Sequence, residues 1–268
     1  MVSPLWMNAF KALVASICFL LAAFFEQQLF STSLEWVSFL KLFASGFIGL
    51  ALGDIFLLRS YADLGPGRTL IIFSFQPSVL AIVGHFAFGQ QVSPLNALAL
   101  ALLMTCLMFL AAERKKVHGS YRLAAFVPAL IAVSCDGVGL LLTKSALTSH
   151  GEVYGIFGSN LLRCVGALVG ILFLYSMSRE SFFAPFKKIK KHVFAAAFFA
   201  FLGTFVSLSV WLKAMSMEQL STVAAIGGTG PLFTNVFEHL ADRRWPSRYL
   251  YAALACFMIG FALLLSGQ

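Results

Sequence analysis

Charge is scarce in this chain. Asp, Glu, Lys and Arg make up 11% of 268 residues, against 60% hydrophobic residues and a mean hydropathy of +0.88. That balance excludes an ordinary soluble domain. The five cysteines (Cys18, Cys106, Cys135, Cys164, Cys256) all fall inside apolar runs and form no C-x-x-C pair. They read as small packing residues, so neither a disulfide framework nor a metal site is expected. A Walker sequence, an HExxH pair and a Gly-x-Ser-x-Gly elbow are all missing, which leaves ATP-driven work and the common hydrolase mechanisms without residues to carry them. No enzyme activity and no cofactor are expected. Period-2 alternation is also absent, which excludes a membrane β-barrel. There is no low-complexity tail and no long linker.

What remains is a series of apolar runs of about 20 residues, the length a helix needs to cross a bilayer. Nine are legible: roughly 8–25, 37–58, 69–88, 94–112, 123–147, 155–177, 193–213, 220–240 and 247–266. In lipid every backbone polar group must be satisfied within the segment, so the runs predict an all-α polytopic membrane protein. Residues 11–25 have the length of a signal peptide. With no charge before Lys11 and eight further spans, they read instead as a first membrane helix.

The net charge of +8 points to topology rather than to nucleic acid. Fifteen of the 19 Lys and Arg fall in one alternating set of positions, including Lys11, Arg59, the 114–122 and 179–191 segments and Arg243, Arg244 and Arg248. The loops near 26–36, 88–94, 148–152 and 214–219 hold none. The positive-inside rule places the basic set in the cytoplasm of a cell whose inner membrane the chain spans, with the N-terminus cytoplasmic and the C-terminus external. The run Lys187-Lys188-Ile189-Lys190-Lys191 serves as a topology anchor or binds anionic lipid.

The chain also repeats itself. Asn8-Ala9-Phe10-Lys11 opens one apolar run and Asn160-Leu161-Leu162-Arg163 another. At an offset of 154 Gly49 matches Gly203, Arg59 matches Lys213, Pro77 matches Pro231 and Met104 matches Met258. Arg59 ends a helix on the basic side and Lys213 ends its counterpart on the charge-poor side, so the halves run in opposite directions. An inverted repeat supports alternating access, because each half can adopt the other's conformation. The expected division is a first repeat at 1–113, a cytoplasmic linker at 114–122 and a second repeat at 123–268. Inversion needs an odd number of helices per half. The second half has five and the first four, which leaves 123–147 without a counterpart. Two explanations stand. The chain begins after an upstream helix, favoured because Ser3-Pro4-Leu5-Trp6 reads like an interhelical loop, or the protein has nine helices with a gap in the first half.

On these residues the chain resembles the EamA-type, ten-helix members of the drug/metabolite transporter superfamily. The resemblance covers nearly the whole chain. It rests on the basic residue in the second helix of each half (Lys11, Arg163) and on a Gly followed by Arg or Lys before the fourth helix of each half, with Pro77 and Pro231 within that helix. The closing loops, Gly89-Gln90-Gln91-Val92-Ser93 and Asp242-Arg243-Arg244-Trp245-Pro246-Ser247, fall where that family usually has Gly-Glu-Arg; the Glu is absent from both. The resemblance implies an exporter or importer of amino acids, nucleotides and related metabolites, often coupled to protons, with Arg163 near a central cavity.

An ionisable group at the bilayer centre costs about 2.5–3.5 kcal/mol on insertion scales and needs a partner or a wet cavity. Asp54 and Asp136 lie deep in apolar runs and are candidates for carrying a proton or anchoring an ammonium group; the alternative is a helix–helix bond, for example to Lys11 or Arg163. Arg163 can hold a carboxylate or phosphate by two parallel bonds, or form an internal bridge. Asn160 lies one turn earlier on the same face. Pro77 and Pro231 each remove a backbone donor at matching positions, the best sequence pointer to a binding site in a repeated carrier, with close packing of small residues as the alternative. Gln76 and Thr229 beside them are expected to face substrate. His85 is a candidate proton group, although a lone His near a helix end is more often structural. Lys41 and Lys144 are expected to snorkel from helix ends.

The expected function is secondary-active export of a small polar metabolite such as an amino acid, bound between the halves, with the lipid bilayer as surroundings, proton coupling through Asp54, His85 or Asp136, and a homodimer as the assembly to test. A non-transporting sensor or assembly factor is the alternative. An intramembrane aspartyl protease is weaker still, because Ala51-Leu52-Gly53-Asp54 lacks the first glycine of that motif.

Overall fold

A computed structural model describes residues 3–27, 35–64, 69, 72–73, 76–89, 93–118, 126–150, 154–178, 182, 192–227, 230, 233, 236 and 248–266. Among the described residues the regular structure is helical throughout. In chain order the elements are α1 (Pro4–Phe25), α2 (Trp36–Ser45), a π-helical segment π1 (Gly46–Gly53), α3 (Asp54–Leu64), α4 (Gln76–Phe88), α5 (Pro94–His118), α6 (Phe126–His150), α7 (Gly155–Met177), α8 (Val193–Ala200), a second π-helical segment π2 (Phe201–Val206), α9 (Ser207–Met217), α10 (Leu220–Gly227) and α11 (Arg248–Ser266). Among the described residues five spans are long and apolar enough to cross a bilayer: Pro4–Phe25, Trp36–Asp63, Phe126–Thr148, Gly155–Met177 and Val193–Met217. The all-α membrane architecture expected from hydropathy is the one observed.

The first helix begins earlier than its apolar run. Ser3 is its N-cap, accepting from the Trp6 N–H at 3.2 Å, and Pro4 takes the first helical position. Both are start signals, because the cap satisfies an orphan donor and proline has no N–H to lose there. Residues 4–6 are therefore helix and not the interhelical loop expected above. The Trp6 indole donates to the Phe182 carbonyl at 2.7 Å and stacks on Phe10.

The chain divides into two compact units, each assembled from both sequence halves. One comprises Met1–Arg59 and Ser134–Met217, the other Ser60–Val133 and Glu218–Gln268. In the first unit α7 is the central helix, packed on α1, α2, π1 and α9. Glycines set how closely it approaches. A methyl group on Gly46 would overlap the Arg163 carbonyl, one on Gly166 would overlap the Phe43 carbonyl, and one on Gly170 would stand 2.7 Å from the Ala51 Cβ. Gly166-x-x-x-Gly170 is thus a small-residue ridge that lets two backbones meet without intervening side chains, the usual basis of helix association in lipid. Gly49 and Gly53 do the same against α6, where Gly139 and Cys135 lie opposite. Away from these ridges Ala15, Phe19 and Cys164 form a buried cluster, with Phe19 against Phe205 at 4.8 Å. Phe194, Phe198 and Phe199 on α8 are exposed.

In the second unit α5 pairs with α11 and α4 with α10. Ala99, Leu100 and Leu103 pack with Phe257 and Leu263, and Cys106 packs with Leu250 and Ala253. The buried hydroxyls of Ser60 and Thr69 bond at 2.7 Å, so neither is left unsatisfied among apolar neighbours.

Candidate functional site

The first unit contains both π-helical segments. A π-helix shifts its carbonyls off the ordinary ladder, and such segments recur at functional sites. The two here are repeat counterparts, since positions 46–53 moved by 154 become 200–207 and π2 spans Phe201–Val206. An asparagine from another helix holds carbonyls of π1, and a second holds a carbonyl just after π2. Asn8 of α1 donates from Nδ2 to the Leu50 carbonyl at 2.9 Å and to the Ala51 carbonyl at 3.2 Å. Asn160 of α7 donates from Nδ2 to the Leu208 carbonyl, just past π2, at 3.1 Å. Both asparagines are 0% exposed, so these bonds replace water that the site cannot supply.

The basic residue one turn after each asparagine behaves differently in the two halves. Arg163 is 3% exposed and donates from Nη1 to the Asn160 Oδ1 at 3.2 Å. Its Nε is buried without a hydrogen-bond partner, as is the Oδ1 of Asn8. Lys11 turns instead to Asp54, with Nζ donating to Oδ2 at 2.6 Å; the side chains are 30% and 17% exposed. Asp136 is half-buried on α6, and a methyl group on Gly53 would meet its backbone N at van der Waals distance. Lys11, Arg163, Asp54 and Asp136 thus lie in one membrane-spanning unit, where an ionisable side chain needs a partner or a wet cavity.

The other candidates fall elsewhere. Gln76 and Pro77 are the first two residues of α4 in the second unit and both are buried. His85, on the same helix, is exposed with its ring edge-on to Phe86. Thr229 and Pro231 lie outside the described residues. Lys144 corrects an expectation. It does not snorkel but is buried at 8% exposure and donates to the Met215 carbonyl at 2.5 Å, near the C-terminus of α9. The last carbonyls of a helix have no partner of their own, and an ammonium supplies one with favourable sign.

Three features were not singled out from sequence. The π-helical segments have no residue signature, although Gly49 and Gly203 already marked their place in the repeat. The glycine ridge Gly166-x-x-x-Gly170 was legible as a small-residue motif. The tie between α2 and α7 was not: the Tyr154 hydroxyl accepts from the Glu35 N–H and donates to the Glu35 carbonyl, each at 3.0 Å.

Twenty-three chains of solved structures match this fold. One crystal structure superposes with a TM-score of 0.75 at 14% identity, covering 98% of this chain and 88% of that one. At that identity the likeness shows the fold. No curated protein matches. The model of the EamA-like transporter family matches residues 1–112 and 124–266, nearly the whole chain. The chain belongs to the EamA-like transporter family and is a multi-pass membrane protein.

Proposed function

We propose that this protein is a secondary-active carrier that exports a small polar metabolite bearing a carboxylate, an amino acid or a related compound, across the inner membrane. The observation that carries this reading is the buried Arg163 with an unpartnered Nε–H. A guanidinium in a membrane span is costly, and this one retains an unused donor after bonding Asn160. Nε and an Nη present parallel N–H groups, the pair that a carboxylate accepts. Asp54 and Asp136, in the same compact unit as Arg163, supply sites for an ammonium group or a proton. A substrate with both charges would meet complementary partners.

The mechanism in this reading is alternating access of two inverted repeats, 1–113 and 123–268, joined at 114–122. Gln76, Pro77, Thr229 and Pro231 contribute the matched helix interruptions, and Asp54, Asp136 or His85 couple transport to protons. The N-terminus is cytoplasmic and the C-terminus external.

Metabolite profiling of medium and cytosol, with and without the protein, tests the reading when run alongside Arg163→Ala and Asp54→Asn. One metabolite class is expected to accumulate outside, and each substitution to cut that export at least tenfold. A correctly inserted protein that moves nothing would sink the proposal. Reporter fusions in 26–36 and 178–192 test the orientation, which an external 178–192 would overturn.

A further inference from the structure

The two halves solve the same local problem with one difference. In the second half the basic residue rests on the asparagine one turn before it, Arg163 on the Asn160 Oδ1. In the first half the equivalent oxygen, Asn8 Oδ1, is fully buried and without a partner. Its natural donor, Lys11, lies at the same i, i+3 spacing but is paired with Asp54. The reason is a single repeat position. The asparagines and the basic residues are 152 apart, and the following helices correspond at 154, where Asp54 falls on Leu208; that residue offers Arg163 no carboxylate, and the guanidinium stays on its asparagine. A buried acceptor left open costs about 1–3 kcal/mol, and a donor one helical turn away can fill it.

We infer that Lys11 is a movable internal counter-ion. It alternates between Asp54, where it rests here, and the Asn8 Oδ1, the place Arg163 occupies in the other half. Its departure uncovers Asp54 as a binding site for a primary ammonium group. Lys11 thus stands in for the substrate's cation while the site is empty and has a satisfied place to go when substrate arrives. Inverted repeats exchange conformations, so the resting place seen in one half is available to the other. The inference rests on the reading of Asp54 as part of a substrate site and adds what covers and uncovers it. The Asp54 carboxylate is 17% exposed, so an incoming ligand can reach it.

The test is binding of n-butylammonium chloride, a mimic of the lysine head, to the purified full chain in detergent. It is read as a saturable shift in thermal unfolding against sodium chloride at equal ionic strength. Lys11→Met is expected to bind the probe at least tenfold more tightly than the unmodified chain, because the internal competitor is gone. Asn8→Leu removes the alternative resting place and is expected to weaken binding at least fivefold in the unmodified chain, yet leave it unchanged in Lys11→Met. Asn8→Asp, which draws Lys11 away, is expected to tighten it. An equal effect of Asn8→Leu in both backgrounds overturns the exchange, as does weaker or unchanged binding in Asn8→Asp. Should Asn8→Leu fail to fold, the sign of Asn8→Asp decides alone. If Lys11→Met/Asp54→Asn binds the probe as well as Lys11→Met does, then Asp54 is no cation site and the functional reading of that residue fails with it.

Discussion

The two π-helical segments occupy equivalent repeat positions and live in opposite surroundings. Around π1 the chain has Gly46, Gly49 and Gly53, all buried, with Arg163, Gly139 and Cys135 against them. Around π2 the counterparts are Ala200, Gly203 and Ser207, and Gly203 is exposed with nothing near its missing Cβ. A shared backbone irregularity therefore does not require glycine. Glycine is required only where another helix comes within backbone distance. The polar residues follow the same contrast: π1 is followed by an acid that captures Lys11, and π2 by Leu208, which leaves Arg163 to its asparagine.

The sharpest way to break this comparison is Gly46→Ala, which puts a methyl group where the Arg163 carbonyl stands. The expected loss is about 3 kcal/mol or more, the upper range of overpacking, read by unfolding in detergent. A loss under about 1 kcal/mol would show that α2 and α7 can separate freely. Next is the ion pair. Asp54→Leu, which gives the first half the residue of the second, is expected to cost about 2 kcal/mol by leaving Lys11 without its carboxylate, and Lys11→Met a similar amount. The double variant should lie within about 1 kcal/mol of the unmodified chain, because the pair is removed together. Additive losses would mean that the two side chains are not coupled. Lys144→Met should cost about 1–2 kcal/mol by orphaning the Met215 carbonyl. No effect would return Lys144 to the class of snorkelling lysines. The smallest change is expected at Gly203→Ala, within about 0.5 kcal/mol and towards greater stability, since alanine is the better helix former in open surroundings. A large loss there would mean that π2 is as closely packed as π1.

Much of the fold was legible because membrane spans are specified by their own composition. The runs at 8–25, 155–177 and 193–213 reappear as α1, α7 and the α8–α9 span, with α1 lengthened by a cap that stands outside the hydropathy signal. The candidate site was legible only as an inventory. Asp54, Asp136 and Arg163 were named because charge is expensive in lipid, and the structure gathers them in one unit. Whether Asp54 would meet Lys11 or Arg163 could not be read, since both are cations one helix away and separation along the chain says nothing about distance across it. Lys144 was misjudged for the same reason. Its position near a helix end is a local fact, whereas the Met215 carbonyl it satisfies lies 71 residues on.

The sequence by itself determined that this is a helical membrane protein of the EamA-like transporter family with an internal correspondence between its halves. The helical membrane architecture follows from each segment's own need to satisfy its backbone in an apolar solvent. Only the tertiary structure decided which carbonyls the asparagines hold, which acid takes which base, and which of two equivalent glycines must remain one. Each of those depends on a partner brought close by packing, and packing in a bilayer is set by backbone approach and polar complementarity rather than by hydropathy.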